Sequence, residues 1–387
     1  MTVLAAARHG AHNGVTARSN VRVLVSAGEP SGDAHAANVI VALRGKLPRC
    51  DVTGFGGVRM AAAGATLQTR MESLSTIGFT SVVRTLPGHM RLLSMMRRDL
   101  RAGRYDLALL TDYPGLHMRV ARAATEAGVP VLYYVAPQLW AWGERRIGSL
   151  RRHVTHLAAI LPFEEKYFRE RGVPTTFVGH PLLDRVRPER GEARSVLGVS
   201  ESRPVLGLFP GSRAAEIRHM WPPMRAAAAR VRVGLPDLQV VVAAMPGFDY
   251  PGGEEFQLQR SDAATVMAAS DAALCKSGTT TLEAALADTP LVICYRTDAL
   301  SYAIARRVVR CRHVGLVNLV AGREVAPEYL QGSSTPAALA RAVLPLLERD
   351  GEPAQSQRRA FASVRRRLGS AGAADRVADL AVALTSC

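Results

Sequence analysis

The sequence contains very few lysines. Only Lys46, Lys166 and Lys276 occur among the 49 basic residues of a 387-residue chain, so almost all of the positive charge is arginine. With 33 acidic residues, the formal net charge is +16. Such an excess favours an anionic partner: nucleic acid, an anionic membrane surface or a phosphorylated substrate.

Cysteines and aromatic residues are also scarce. The five cysteines are scattered and show no CxxC spacing. This pattern excludes a disulfide framework and a cysteine-rich metal site, and indicates a reducing compartment. No histidine and carboxylate cluster has metal-ligand spacing, so we expect no metal. Aromatic residues make up 5% of the chain and form no cluster suited to stacking on RNA bases, which argues against nucleic acid as the partner.

Long apolar runs are missing. No window reaches the roughly 18 uninterrupted apolar residues of a membrane-spanning helix. The first 20 residues are polar and are predicted to form a disordered leader rather than an export signal. Hydrophobic residues nevertheless make up 48% of the chain, enough for large cores, and 387 residues are sufficient for two domains.

Short apolar runs alternate with helical patterns along most of the chain. They lie at 21–25, 107–110 and 131–135, and again at 205–209 and 272–275, on either side of a polar stretch at 180–204. This rhythm predicts an α/β protein with two doubly wound parallel-sheet domains facing a cleft. We expect domains at 21–187 and 188–354, followed by a helical tail at 355–387. Ligands of such sheets bind beyond the carboxyl ends of the strands.

Two turns in the second half have the features of a phosphate site. In LFPGSRAAEI, Gly211, Ser212 and Arg213 stand between a strand and a helix, where amides, a hydroxyl and a guanidinium can converge on a diphosphate. The second turn supplies Ser277, Gly278, Thr279, Thr280 and, one helical turn inside, Glu283, a possible acceptor for a ribose diol. Either turn alone is explained by helix capping. Together they favour a nucleotide-diphosphate site.

The corresponding turn in the first half is acidic. SAGEPSGD follows the first apolar run and contains Glu29 and Asp33, which would repel a phosphate from the helix start. A further carboxylate, Asp112, ends the run LALLT and precedes Pro114. From spacing alone, Asp112 is equally well explained as a general base or as the start of a turn.

Eight stretches in a fixed order carry a family resemblance that extends from about residue 21 to residue 347. They are AGEPSGD, TDYPG, YYVAPQLWAW, LPFEEKYF, FVGHPLLD, PGSRAAEI, SGTTTLEAAL and NLVAGREVAPEYLQ. In this order they resemble the lipid-A-disaccharide synthases, which are inverting, metal-independent glycosyltransferases of the GT-B architecture. The specificity lies in the ordered set, since each fragment alone is weak.

The resemblance implies a reaction and a division of the site. UDP-2,3-diacylglucosamine would donate its sugar to the 6-hydroxyl of 2,3-diacylglucosamine 1-phosphate and release UDP, without a cofactor. The donor would lie on the C-terminal half, with Asn318 and Gln331 near it in addition to the two turns. The acceptor would lie on the N-terminal half, near Ser31, Gly32, Asp33, Gln138, Trp140 and His180.

The resemblance also implies catalytic residues. Asp112 matches the family's essential aspartate and is the first choice as general base, and Glu29 is the second choice or an orienting group. Asp33 is alternatively a cap of the helix that follows it. The family often has a second carboxylate three positions after the first, where this sequence has Gly115. His117 and Glu29 are the candidates to replace it.

The segment at 77–103 is a candidate for membrane contact. It mixes apolar residues with arginines: Ile77, Phe79, Val82, Val83, Leu86, Met90, Leu92, Leu93, Met95 and Met96 with Arg84, Arg91, Arg97, Arg98 and Arg101. This composition suits an interfacial element on anionic lipids, and equally a helix packed against the sheet. With the family resemblance it predicts a peripheral protein on the cytoplasmic side of the inner membrane.

Two other functions remain compatible with the sequence. One is a different UDP-sugar enzyme of the same architecture, such as a 2-epimerase or another glycolipid transferase. The other is a non-catalytic binder of anionic membranes or nucleic acid, motivated by the net charge of +16.

Overall fold

The structure is a computed structural model that describes residues 20–71, 81–260, 262–308 and 311–386. Except for Asn20, the predicted leader lies outside the described residues. So do Ile77 and Phe79 of the candidate membrane segment.

In the described part of the first half, seven parallel strands form one sheet in the order β3-β2-β1-β4-β5-β6-β7. The strands are β1 (Val21–Ala27), β2 (Cys50–Gly56), β3 (Thr66–Arg70), β4 (Leu107–Thr111), β5 (Val131–Tyr134), β6 (His156–Ala159) and β7 (Thr175–Phe177). The helices between them are α1 (Pro30–Lys46), α2 (Val58–Ala62), α3 (Ser81–Arg101), α4 (Pro114–Glu126), α5 (Ile147–His153) and α6 (Pro162–Arg169).

A second parallel sheet follows, with six described strands in the order β10-β9-β8-β11-β12-β13. Its strands are β8 (Val205–Phe209), β9 (Gln239–Ala243), β10 (Gln257–Gln259), β11 (Ala272–Lys276), β12 (Leu291–Tyr295) and β13 (Glu328–Leu330). Its helices are α7 (Arg190–Leu197), α8 (Ala214–Gly234), α9 (Ala263–Ala269), α10 (Thr280–Leu286), α11 (Ala299–Val308), α12 (Leu316–Ala321) and α13 (Pro336–Val343), and the chain ends with α14 (Glu352–Arg367) and α15 (Ala373–Thr385).

Both faces of each sheet are buried, which explains why the strands are continuous apolar runs. In β4, Leu107 and Leu109 pack into one hydrophobic cluster, whereas Ala108 and Leu110 pack into the cluster on the other face. Helices cover each face, as parallel sheets require. The predicted α/β class with two parallel sheets is confirmed.

The last two helices pack against different halves of the molecule. Phe361 of α14 belongs to the core that contains Leu282 of α10 in the second half. Val377 of α15 instead joins Ile40 of α1 in the core of the first half. The C-terminal segment therefore returns to the first sheet and links the two halves a second time.

The described part of α3 is an amphipathic helix on the first sheet. Leu92, Leu93 and Met96 are buried in the same core as Leu110 of β4. These three apolar residues therefore belong to the core, the second of the two interpretations. Met90 differs, because 51% of its surface is exposed. None of the helices in the described residues is long and apolar enough to span a bilayer.

Candidate active site

The predicted acidic and cationic residues lie at the carboxyl ends of adjacent strands. In the first sheet, β1 and β4 are neighbours, and Glu29 and Asp112 follow them. In the second sheet, β8 and β11 are neighbours, and Arg213 and Ser277 follow them. The strand order reverses at each pair. Such a reversal opens the crevice in which doubly wound sheets bind ligands.

A salt bridge between the two halves joins the two edges. Nη2 of Arg213 donates to Oε2 of Glu29 over 2.9 Å. Both side chains are partly exposed, 66% for Arg213 and 42% for Glu29. The arginine predicted to bind a diphosphate and a carboxylate predicted on the acceptor side are therefore in direct contact across the cleft.

Asp112 is in a strained turn, and hydrogen bonds to its carbonyl fix its backbone. Asp112 and Tyr113 both have left-handed φ angles, 53° and 50°. The Asp112 carbonyl accepts hydrogen bonds from the Tyr133 hydroxyl and from Nδ1 of His117, each over 2.6 Å. A carbonyl can only accept, so the His117 proton lies on Nδ1, and Nε2 accepts from the Ser26 hydroxyl at 2.8 Å. The strained turn thus includes the residue with the candidate catalytic carboxylate.

His117 does not replace the missing second carboxylate. It is fully buried, both ring nitrogens are engaged, and burial lowers its pKa to about 4. The imidazole is therefore neutral at physiological pH and positions Asp112. This corrects the expectation that His117 is a candidate for that role, and leaves Glu29.

The charge state of Asp112 is set by its surroundings. Burial and the Glu29 charge raise the pKa of Asp112, while the Tyr113 amide and Arg213 oppose that rise. A carboxylate with a raised pKa is a stronger base, as expected of a group that accepts a proton from a hydroxyl.

Gly28 gives Tyr113 its place over the acidic turn. A Cβ at position 28 would lie 2.3 Å from ring atoms of Tyr113, so no other residue fits without displacing the ring. The Tyr113 hydroxyl is 2.6 Å from Nε2 of His89 on α3. This glycine is therefore needed for packing beside the strained turn.

The turn at 211–213, which is predicted to bind a diphosphate, is partly filled by a carboxylate of the protein itself. Glu216 of α8 accepts from the Ser212 amide at 3.1 Å and pairs with Lys276 Nζ at 2.9 Å. Burial alone would raise the pKa of Glu216, but Lys276, the Ser212 amide and Arg213 outweigh it and lower the pKa. Gly211 has a φ of 122°, which favours glycine, and a Cβ there would lie 2.7 Å from the Cβ of Glu216.

The second turn is tied to the loop before α12. The Ser277 hydroxyl donates to the Val314 carbonyl at 2.7 Å. Gly278 has a φ of 146°, which favours glycine. Thr279 is exposed and makes no side-chain capping bond, and Thr280 is the first residue of α10. Capping by the Thr279 side chain therefore does not explain this turn.

Comparison with known proteins identifies the family. The sequence model of the lipid-A-disaccharide synthetase family, LpxB, matches residues 23–376. The lipid-A-disaccharide synthase of Myxococcus xanthus (strain DK1622) is 40% identical over 368 residues, covering 92% of this chain and 96% of that protein. The chain belongs to the lipid-A-disaccharide synthase family. The resemblance inferred from the ordered motifs is confirmed, and the protein is a hexosyltransferase that forms the lipid A disaccharide.

Solved structures confirm the GT-B fold of this synthase. Arabidopsis thaliana UGT89C1 complexed with UDP superposes with a TM-score of 0.63 at 12% identity, covering 95% of this chain and 100% of that chain. Acinetobacter baumannii MurG gives a TM-score of 0.56 at 16% identity, covering 93% and 98%. At these identities the likeness concerns the fold alone.

Several predicted residues of the synthase have internal roles instead. Asp33 is buried, and its carboxylate accepts from the amides of Gly57, Arg59 and Met60 over 2.7 to 3.1 Å. Asp33 therefore caps α2. This corrects two expectations, namely that it caps α1, the helix in which it lies, and that it lies on the acceptor side. Ser31 stays exposed in the first turn of α1, next to buried Gly32.

Asn318 is a second correction. It is fully buried, and its side-chain oxygen accepts from the amides of Val325 and Ala326 at 2.8 and 3.0 Å. Its side-chain nitrogen donates to the Ala326 carbonyl and to Glu328. These contacts leave no face for a donor sugar, so Asn318 holds the loop before β13. Gln331, beyond that strand, donates to the Thr297 carbonyl at 3.2 Å and is partly exposed.

The residues after β5 and β7 that were predicted on the acceptor side are divided between surface and core. Gln138 is exposed, whereas Trp140 packs edge-on against Phe163 and donates to Glu164 at 3.0 Å. His180 is buried and accepts from the Leu182 amide at 3.2 Å. Burial, with His35 and Arg185 nearby, lowers the pKa of His180 to about 3. His180 is therefore a neutral structural residue, which corrects its placement against the acceptor.

Sequence reasoning missed Lys276 and Glu216. One signal was available: Lys276 ends β11 in a chain with three lysines, directly before the second turn. Among the described residues, no group of three or more histidine, cysteine or acidic side chains has metal-binding geometry.

Proposed function

We propose that the chain transfers the sugar of UDP-2,3-diacylglucosamine to the 6-hydroxyl of 2,3-diacylglucosamine 1-phosphate and releases UDP. The observation that carries this proposal is the contact of 2.9 Å between Arg213 and Glu29. This contact supports the proposal because it joins a loop of the first sheet to a loop of the second. The first half, 21–187, would hold the acceptor and the second half, 188–354, the donor.

Asp112 is the general base of this proposal. The acceptor's 6-hydroxyl oxygen attacks the anomeric carbon of the donor, the bond from that carbon to the diphosphate oxygen breaks, and the hydroxyl proton passes to the Asp112 carboxylate. Attack opposite the leaving group inverts the anomeric centre. Glu29 raises the pKa of Asp112 and orients the acceptor.

Arg213 and Lys276 stabilise the departing UDP. Arg213 is paired with Glu29, and Lys276 is paired with Glu216, at 2.9 Å each. An entering diphosphate competes with both carboxylates for these cations and for the Ser212 amide. Cationic groups directed at the developing negative charge are a major source of rate acceleration in such transfers.

Glu283 is proposed to receive the ribose. It lies on α10, beside Arg185 at 3.3 Å, and burial raises its pKa despite that arginine. UGT89C1, which shares this fold, was solved with UDP, which supports a nucleotide as a ligand of this fold.

The synthase is proposed to act at the cytoplasmic face of the inner membrane as a peripheral protein, because both substrates are lipids. The net charge of +16 favours anionic lipids, and exposed Met90 beside Arg91 provides one point of contact.

The test is a product assay. Purified protein is incubated with both substrates, and the products are identified by mass spectrometry. We expect a β-1,6-linked disaccharide 1-phosphate and UDP, and no product when the acceptor is omitted. An epimerised UDP-sugar formed without acceptor would instead indicate a 2-epimerase. Binding of polynucleotide that is indifferent to UDP, with no sugar product, would indicate the non-catalytic alternative.

A further inference from the structure

A cavity of about 660 Å³ lies between the two halves of the molecule. It is formed by the segment after β5 and the end of α11, and its lining includes Leu139, Trp140, Trp142, Arg146, Arg307 and Val308. Its volume is within the range of roughly 300 to 1,000 Å³ typical of small-molecule sites. The cavity is lined by both halves of the molecule, as the cleft is.

The sheet topology places this cavity on the cleft side of the protein. β5 is the neighbour of β4, which ends at Asp112, and β12 is the neighbour of β11, which ends at Ser277. The lining segments leave the carboxyl ends of β5 and β12. β5 and β12 are each one strand spacing, roughly 4.8 Å, from the strand that ends at the candidate site, and the lining residues lie 5 to 13 residues further along the chain.

The cavity has exposed apolar surface. Trp142 is 45% exposed and Val308 is 43% exposed, on facing segments from the two halves. Leu139 and Trp140 complete the apolar side, with Trp140 held by its bond to Glu164. Facing large apolar side chains at the mouth of a cavity mark a binding surface.

Its rim is cationic. Arg145, Arg146 and Arg307 are exposed, and no acidic side chain among the described residues forms a salt bridge with any of the three. Arg146 lies 5.3 Å over the Trp142 ring. The carboxylate in the lining, Glu144, pairs with Arg171 at 3.2 Å. The rim thus offers positive charge to an anion beside an apolar floor.

We infer that this cavity binds an acyl chain of the acceptor, with the rim arginines next to its 1-phosphate. This inference rests on the proposed function. An apolar floor beside a cationic rim matches an amphiphile that carries an acyl chain and a free phosphate. The acceptor carries both, whereas the donor's diphosphate is esterified on both sides and is proposed to lie at Arg213 and Lys276.

The test measures how acceptor KM depends on acyl-chain length in mixed micelles of fixed surface composition. For the wild type, KM falls as the chain lengthens, by up to about fourfold for each methylene that enters the cavity. Val308→Asp and Trp142→Ser raise KM for the long-chain acceptor at least tenfold and flatten the dependence on length. Trp142→Phe retains most of the wild-type dependence of KM on chain length. Arg307→Gln raises KM at every length.

The matched control is Val233→Asp, because Val233 is a valine on α8 with 86% exposure. It leaves KM and its length dependence unchanged. If the wild type is active and Val308→Asp behaves like Val233→Asp, the cavity inference is wrong and the proposed function stands. If Val308→Asp loses only binding to vesicles, with KM in micelles unchanged, the surface contacts the bilayer and the inference is also wrong.

An inactive wild type would refute the proposed function separately. The cavity is then tested by titrating the acceptor lipid and following Trp142 fluorescence, taken as the difference between wild type and Trp142→Phe. Saturable quenching that is lost in Val308→Asp supports the cavity site. Its absence overturns the inference.

Discussion

Asp112 and Tyr113 have backbone conformations that cost about 1 to 3 kcal/mol each for residues other than glycine. The cost is sustained by the bonds that Tyr133 and His117 donate to the Asp112 carbonyl. These bonds fix the backbone of Asp112, and the turn therefore determines the direction of its carboxylate. Such an arrangement is expected where the direction of one side chain matters more than local stability.

The pH dependence of turnover tests the role of Asp112. A base acts only when deprotonated, and the pKa of Asp112 is raised, so kcat/KM falls with decreasing pH at a higher pH than for an ordinary aspartate. Glu29→Gln removes a charge that raises this pKa and frees Arg213, which lowers it. The acid limb therefore moves to lower pH. Asp112→Asn lowers kcat about 10²- to 10⁴-fold and abolishes the limb. A limb that persists in Asp112→Asn would assign it to another group.

At this scale, the sequence indicated which residues cluster but not always what they do. Glu29, Asp112 and Arg213 were found because each follows a predicted strand, and carboxyl ends of parallel strands share an edge. Asp33 and Asn318 also stand in motifs of the ordered set but bond to groups further along the chain. Asp33 accepts from backbone amides 24 to 27 residues away, and Asn318 bonds to backbone groups 7 and 8 residues away and to the Glu328 carboxylate, 10 residues away. Short motifs do not reveal which backbone groups lie opposite.

At the scale of an element, the start of α6 contains a buried carboxylate that titrates near neutrality. Glu164 accepts from the Leu161 amide and from Trp140. Burial raises its pKa to about 7, although both bonds oppose the rise. The folded pKa is above the unfolded value of 4.5, so the contribution of Glu164 to stability is full below about pH 4.5 and is lost as the pH rises through about 7.

Glu164→Gln removes this titration. We expect the free energy of unfolding of the variant, relative to wild type, to increase by about 3 kcal/mol between pH 4.5 and pH 8, on a linkage argument. The measurement is urea unfolding at several pH values. Glu165→Gln, on the more exposed side of α6, is the matched control and changes the profile much less. A difference that does not vary with pH would mean that Glu164 titrates normally.

Elements were predictable where one periodicity dominates. The strands of both sheets are apolar runs because each is buried on both faces. The end of the chain was harder: α14 and α15 have similar helical patterns, yet they pack against different sheets. Their partners depend on the path of the chain between them, which periodicity does not contain. For the same reason α3 was ambiguous, since a core-facing and a lipid-facing stripe have the same pattern.

At the scale of the whole molecule, the contact between Arg213 and Glu29 joins halves that must also admit a nucleotide. At 66% and 42% exposure, such a pair contributes about 0 to 1 kcal/mol, so its loss changes the melting temperature by less than about 4 °C. The pair has a larger effect on nucleotide binding than on stability. A diphosphate must take Arg213 away from Glu29 before the arginine can stabilise it, so the pair opposes nucleotide binding.

This competition predicts opposite effects on UDP affinity, measured by calorimetry with UDP alone. Arg213→Ala weakens UDP binding and lowers kcat about 10²- to 10³-fold, because a cation at the leaving group is lost. Glu29→Gln strengthens UDP binding, because Arg213 is released while its charge remains. The UDP affinity of Arg213→Lys is intermediate, since lysine keeps the charge but not the bidentate hydrogen bonding of arginine. If both Arg213→Ala and Glu29→Gln weakened UDP binding equally, the pair would be holding the halves in a binding-competent arrangement instead of competing with the nucleotide.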